Sequence, residues 1–308
     1  MPTALVTHPD CLNHITPEGH PEQVARLEHV LAALAGKDLL REEAPLADDA
    51  LLLRVHPAAH LDAIRAAAPQ AGAAALDADT WMSPGTLNAA LRTAGGAARA
   101  VDLVMAGTAQ NAFVATRPPG HHAETATPMG FCLFGNVAAA AKHALDRHGL
   151  SRVAIVDFDV HHGNGTQDLV QDDARILFCS THQMPLYPGT GDPSDTGPHG
   201  TVLNVALAEG AGGQAFRQEM EAQVLAAVDA HAPEMIFISA GFDAHRADPL
   251  AGLNLVEADF AWATQAICDL ADRHAKGRVV SCLEGGYDLA ALASSAAAHV
   301  DVLIHRSA

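Results

Sequence analysis

Paired histidines, spaced aspartates and a single tyrosine, each set just behind a short apolar run, are the residues of this chain best equipped for chemistry. Arg117-Pro-Pro-Gly-His121-His122 follows the run 112–116, and Asp157-Phe-Asp159-Val-His161-His162-Gly-Asn164 closes the run 153–158. Ala-Gly-Phe-Asp243-Ala-His245 follows 235–239, and Glu284-Gly-Gly-Tyr287 follows 279–283. A period of two at a strand end puts Asp157, Asp159 and His161 on one face. Two carboxylates and one imidazole, Asp159, His161 and Asp243, suit one catalytic zinc, because three protein ligands leave a position for water. Two carboxylates also cancel the charge of the ion, so the water is acidified less than by three neutral imidazoles and needs a base and an electrophile beside it. His122, or the His121–His122 pair, can take and return the proton. The Tyr287 hydroxyl, on a Gly285-Gly286 hinge, can donate to a developing oxyanion opposite the metal. Metal-assisted hydrolysis of an amide is the reaction implied.

Such residues must be held by a frame, and the hydrophobic periodicity supplies one. Short β-branched runs predict strands at 4–7, 112–116, 153–158, 176–180, 202–205, 235–239 and 279–283. Ala/Leu-rich stretches of helical period lie between them at 22–35, 57–68, 86–106, 136–148, 213–230, 256–275 and 288–304. Runs such as VAIVDF and MIFISA are apolar without alternation, as in a parallel sheet covered on both faces. The order predicts an α/β doubly wound fold, where ligands sit at the carboxyl ends of strands. No repeat, linker or charge block divides the chain, so residues 1–308 read as one domain. The Ala-Gly segments 71–75 and 94–98 read as surface turns or close helix contacts, not hinges.

Composition narrows the remaining classes. The 308 residues carry 18 Lys+Arg against 36 Asp+Glu, a formal charge of −18, which leaves no basic stripe for nucleic acid and steers cations favourably. No apolar run reaches the length of a membrane span, and the start lacks the charged and apolar regions of an export signal. Five scattered cysteines without a CxxC pair predict reduced thiols and a cytoplasmic location.

RPPGHHA, GFCLFGNVA, VDFDVHHGNGTQ, YPGTGDP, SAGFDAHRADPL and LEGGYD, in that order, resemble the histone deacetylase family, most of all its class II and bacterial deacetylase-like branch. The resemblance spans roughly residues 8–305. It implies an arginase/deacetylase-like fold with a central, mostly parallel sheet flanked by helices, and zinc-dependent hydrolysis of acyl-lysine-type amides. By motif, Asp159, His161 and Asp243 would be the zinc ligands, His122 the general base and His121 its electrostatic partner. Asp157 would orient His121, Asn164 would orient His122, and Tyr287 would polarise the carbonyl. The family also implies potassium, here by way of Asp157, Asp159, His161, Ser180 and Thr181, with a second site at carbonyls near Val170, Asp173 and Ile176. Gly130, Phe131, Tyr187 and Leu250 would line the substrate tunnel; Tyr187 departs from the usual Phe.

Other histidines and carboxylates have plainer roles in prospect. His8, His14, His20 and Asp10 lack tight ligand spacing, and His245 reads as a rim or loop contact. His20-Pro-Glu-Gln-Val-Ala-Arg26 resembles the family's HPExxxR segment, which leaves Arg26 either lining a channel beneath the metal or serving at a helix cap. Glu284, Asp248 and Asp288 read as caps or partners of loop amides, Trp81 and Trp262 as packing, and Cys132 as an inert core thiol. A two-manganese ureohydrolase is excluded because Gly163 stands where the bridging carboxylate of D-x-H-x-D is needed. The expected partners are an acylated lysine side chain or an acylpolyamine, with no nucleic acid and no membrane, and with a homo-oligomer left open. The polyamine-preferring eukaryotic relatives carry Glu after the Asp-Pro pair where this chain has Leu250, which favours acyl-lysine. A catalytically silent acyl-binding protein is the reading from another class.

Overall fold

The computed structural model describes residues 1–307. In chain order it runs β1 (Thr3–Thr7), a 3-10 turn (Pro9–Asn13), α1 (Val24–Ala33), β2 (Leu40–Glu43), α2 (Asp49–Leu52), α3 (Ala58–Ala67), β3 (Ala74–Ala75), β4 (Trp81–Met82), α4 (Thr86–Met105), β5 (Asn111–Val114) and α5 (Asn136–His148). There follow β6 (Val153–Asp157), α6 (Asn164–Val170), β7 (Ile176–Gln183), β8 (Val202–Leu207), α7 (Gly213–Glu219), a π-helical turn (Met220–Leu225) and α8 (Ala226–His231). The chain closes with β9 (Ile236–Ala240), α9 (Glu257–His274), β10 (Val279–Leu283) and α10 (Leu289–Ser307).

Eight strands form one sheet in the order β2-β1-β5-β10-β9-β6-β7-β8, with every pairing parallel, and β3 and β4 make a separate small hairpin. Alternate strand residues divide between two cores, as the pleat requires. Leu5, Phe113, Val156 and Ile238 pack towards α1, α9 and α10, whereas Val6, Val114, Ile155 and Phe237 pack towards α4 and α5. Both faces are covered, so the central strands are apolar throughout, and the fold is the flanked parallel sheet the periodicity predicts.

Departures from the predicted elements are local. β2, the β3–β4 hairpin and α6 are short, and LREE in β2 is an edge strand with half its residues exposed, so no apolar run announces it. The stretch 213–230 is helical but passes through the π turn rather than one regular helix. At 94–98 the close helix contact is real: a Cβ on Gly95 would stand 2.2 Å from the Pro45 carbonyl oxygen.

Candidate active site

Four adjacent strands, β5, β10, β9 and β6, end side by side, and their carboxyl ends carry the loops with His121–His122, Tyr287, Asp243 and Asp159–His161. Register fixes the convergence: Cys282 lies beside Val114, Leu283 beside Ala240, and Ser239 beside Asp157. β6 stops at Asp157, so Asp159 and His161 are presented by a turn and not by strand alternation as the sequence predicts. Each carboxylate there holds the backbone two residues on, Asp157 Oδ1 accepting the Asp159 N–H at 3.0 Å and Asp159 Oδ1 the His161 N–H at 3.0 Å. Short side chains that bond their own backbone make this turn in place of more strand.

Asp159, His161 and Asp243 come together, with one ligand-type atom from each within 4.8 Å of the others, all buried. His161 Nδ1 stands 3.1 Å from Asp159 Oδ1 and 3.1 Å from Asp243 Oδ2. One N–H could only be divided between the two carboxylates, whereas donors about 2 Å from a tetrahedral zinc lie about 3.3 Å apart, so a divalent ion fits this triplet. The outer oxygens are held by backbone amides, Val160 N–H to Asp243 Oδ1 at 2.9 Å and Gly285 N–H to Asp159 Oδ2 at 2.8 Å. Such partners orient ligands. Burial, then the charge of Asp159, pushes Asp243 up to about 7. His161 is pushed up to about 10: burial alone would lower it, but its hydrogen bonds to both carboxylates prevail. Two fully buried carboxylates held this close call for a cation.

The tandem histidines face different surroundings. His121 Nδ1 meets Asp157 Oδ2 at 3.0 Å, and His122 Nδ1 meets Asn164 Oδ1 at 2.7 Å. Burial disfavours a charge on His121, yet the carboxylates of Asp159 and Asp157 raise its pKa well above the usual value. Burial and the neighbouring His121 and His161 hold His122 well below it. The two rings are thus biased in opposite directions, His121 towards the charged form and His122 towards the neutral one. Glu284 accepts the amides of Gly120 and His121 at 2.7 and 3.2 Å, tying this loop to the end of β10.

Tyr287 is reached through Gly285 and Gly286, two glycines that space and conformation require. A Cβ on Gly285 would lie 2.1 Å from Asp243 Oδ2, and Gly286 has φ +121°. Asp248 holds the amides of Tyr287 and Leu250 at 2.7 and 3.0 Å, while Asp288 caps the start of α10 through Ala291 at 2.8 Å. Arg26 is neither at a cap nor exposed. It lies inside α1, fully buried, with its guanidinium 4.8 Å from the Tyr287 ring centre and donating to the carbonyls of Gly286 and Glu284 at 2.6 and 2.5 Å. Glu22 binds both Arg26 and Arg117, at 2.9 and 2.5 Å, in a buried charge cluster. The pairing of Glu22 with both arginines has no sequence signal of its own; Glu22 and Arg26 stand in the HPExxxR-like segment, and Arg117 heads the histidine loop in RPPGHH.

A cavity of about 200 Å³ above the triplet is lined by Asp79, His122, Gly130, Phe131, His161, Leu186, Tyr187, Leu250 and Tyr287. All four expected tunnel residues are therefore brought to it. Phe131 takes φ +70°, a conformation rare for a bulky residue, with its N–H held by Thr80 Oγ1 at 3.0 Å. Gly130 must lack a side chain, since a Cβ would meet the His122 ring at 2.4 Å. Asp79 is a carboxylate at the cavity that no sequence signal pointed to, because D-A-D-T lies in an otherwise featureless loop. A groove of about 650 Å³, lined by residues of the 15–25 loop, continues from the cavity through Leu250 and Tyr287.

The remaining candidates resolve simply. His8, His14 and His20 do not converge: His8 accepts the Asp10 amide, His14 meets Thr86 and Glu22, and His20 meets the Asp79 carbonyl. His245 Nδ1 accepts the Ala247 amide at 3.1 Å in a loop contact. Cys132 is buried, and burial raises its thiol well above the usual range. Ser180 lies beside Asp157 in register, with its hydroxyl 2.9 Å from His182 Nδ1, and the Thr181 hydroxyl is 3.5 Å from the Asp157 carbonyl. The carbonyls of Val170 and Asp173 accept the amides of Asp173 and Ile176, both at 2.9 Å.

Residues 20–303 match the Histone deacetylase domain family. The chain is 42% identical over 273 residues to the "Histone deacetylase-like amidohydrolase" of Pseudomonas aeruginosa, covering 87% of this chain and 71% of that protein. It is 36% identical over 301 residues to a "Probable deacetylase" of Archaeoglobus fulgidus, covering 94% and 82%. Among solved structures it is similar to an HDA15 HD domain, with a TM-score of 0.92, 33% identity and coverage of 98% of this chain and 90% of that one.

Proposed function

Because the chain belongs to the histone deacetylase family, whose members include deacetylases and amidohydrolases, we propose that residues 1–308 form a single zinc-dependent deacylase domain removing an acyl group, acetyl above all, from the side-chain amine of lysine. The observation that carries this is the buried Asp159–His161–Asp243 triplet at the floor of a cavity shared by His122 and Tyr287. Held by those three side chains, zinc would supply Lewis acidity to the acyl carbonyl and to the attacking water.

The chain's own residues do the rest. His122, aligned by Asn164 at Nδ1, accepts the water proton at Nε2 and passes a proton to the departing amine as the amide C–N bond breaks. His121, charged against Asp157, offsets the negative charge that develops beside it. Tyr287 donates a hydrogen bond from its hydroxyl to the oxyanion, and Arg26 with Asp248 holds its ring and backbone in place. Phe131, Leu250 and Tyr187 exclude water around the aliphatic stem of the substrate. Tyr287→Phe is expected to lower kcat by about 10²–10³-fold, the scale for loss of one oxyanion donor. Unchanged kcat in a metal-replete variant would remove Tyr287 from this role.

Potassium is proposed at the ends of β6 and β7, with Asp157, Ser180 and Thr181 among its oxygen donors. In support, Asp157 lies in register between Ser180 and Ser239, and the buried Ser239 hydroxyl has no partner among the described residues. A cytoplasmic setting is proposed from five buried, unpaired cysteines; no helix of the described residues is long and apolar enough to cross a membrane.

Acylpolyamines are the second reading, favoured by the Asp79 carboxylate at a cavity that has no Lys or Arg in its lining. The deciding experiment compares kcat/KM for acyl-lysine peptides and acetylpolyamines at fixed zinc. Higher values for the peptides are expected; higher values for polyamines would reverse the assignment, and ligand binding without turnover of either would indicate a silent binding protein. Leu250→Glu, at the 37% exposed rim position, is expected to raise acetylpolyamine use relative to acetyl-lysine by offering a counter-charge to the distant ammonium. An unchanged ratio would separate Leu250 from specificity.

A further inference from the structure

We propose that Asp102, His143 and His148 form a second metal site, for a divalent transition cation such as zinc or nickel, on the side of the sheet opposite the catalytic cavity. Asp102 lies in the last turn of α4, and both histidines lie in the last two turns of α5. α5 ends just before β6 begins, so this cluster sits at the amino edge of the sheet, while the catalytic loops leave its carboxyl edge.

Three features favour a cation there. His143 Nε2 and His148 Nε2 approach the same carboxylate oxygen, Asp102 Oδ1, at 2.8 and 2.7 Å, and all three atoms lie within 4.8 Å of one another. Donors that converge on a point, rather than spread over both oxygens, need only a small outward shift to admit an ion. Two imidazoles and a carboxylate are also the set that zinc and nickel accept, with water completing the shell. Finally, the site is reachable, its side chains being 42%, 15% and 23% exposed for Asp102, His143 and His148.

The surroundings set limits on strength. Arg54, Arg99 and Arg147 line an adjoining cleft of about 310 Å³ and oppose a cation. Arg54 is paired with Asp146 at 2.6 Å and Arg99 with Glu42 at 3.0 Å, which offsets part of that charge. The site is therefore weaker than the catalytic one. An ion there would pin α4 to α5, whose packing backs β5 and β6, and so raise thermal stability without entering the reaction.

The test uses untagged, zinc-loaded enzyme titrated with zinc and with nickel by calorimetry, with metal content measured after gel filtration. Wild type is expected to take up one equivalent beyond the catalytic ion and to gain Tm on nickel addition. His148→Gln and Asp102→Asn are each expected to lose both effects and to keep wild-type turnover. No further equivalent in wild type would overturn the site, as would its retention in both variants. The wild-type titration alone keeps the proposal falsifiable should either variant fail to fold, and none of these readouts depends on which amide the catalytic cavity takes.

Discussion

Dialysis against a strong chelator such as dipicolinate is expected to abolish turnover, and zinc to restore it. The expectation follows from charge and not from family membership alone. Asp159 and Asp243 are fully buried, and the one side chain between them, His161, offers a single nitrogen to two carboxylates. Without an ion, the two buried carboxylates have only the His161 ring to share between them, so metal-free protein should also show a lower Tm. Turnover and Tm are therefore expected to fall together and to recover together. Full activity in protein shown by elemental assay to hold no divalent ion would sink the metal mechanism. A Tm unmoved by zinc would separate the triplet from metal binding altogether.

His122→Ala is expected to lower kcat by about 10²–10⁴-fold, the range for loss of a positioned general base, with metal content unchanged. Two adjacent histidines in a loop are equivalent as text, and the reading of the residues alone left the base as His122 or the His121–His122 pair. The fold separates them. His122 lines the cavity with Asn164 as its partner, whereas His121 is turned to Asp157 and does not line it. Burial, then the neighbouring His121 and His161, favour the uncharged form of His122, against the opposing pull of Asp159 and of the Asn164 hydrogen bond. A folded pKa below the usual 6.5 keeps the base form as pH falls, so the acid limb of kcat/KM is expected below the ordinary imidazole range. His121→Ala should cost less in kcat, because it removes charge stabilisation and not the proton acceptor. A severe loss in His121→Ala beside a mild one in His122→Ala would exchange the two roles.

The tunnel illustrates what is and is not legible in a chain. The family resemblance implies Phe131 and Gly130 through GFCLFGNVA, Tyr187 through YPGTGDP and Leu250 through SAGFDAHRADPL, because each belongs to a contiguous motif. Asp79 and Thr80 belong to none. They reach the site because the β3–β4 hairpin packs across the cavity, with Thr80 holding the Phe131 amide and His20 the Asp79 carbonyl. Glu22 and Arg26 lay in a recognised segment, but their part in supporting Tyr287 depends on α1 crossing under the β10 loop. Loss of one partner from a buried charge group of this kind costs about 3–5 kcal/mol, a dependence that no local pattern can report.

The sequence by itself determined the parallel α/β frame, the loops at its strand ends, and the residue types of a candidate metal site with two carboxylates and one imidazole. Those are local properties: strand and helix periods, proline and glycine at strand ends, and the donors spelled between them. Tertiary structure alone decided which histidine lines the cavity, that Asp159 and His161 sit on a turn, and which distant carboxylate borders that cavity. The reason is register and packing, as when Ser239 beside Asp157 and Leu283 beside Ala240 bring strands far apart in the chain to a common edge. Side chains then acquire their charge state from burial and neighbours, which come into being only once the sheet has closed.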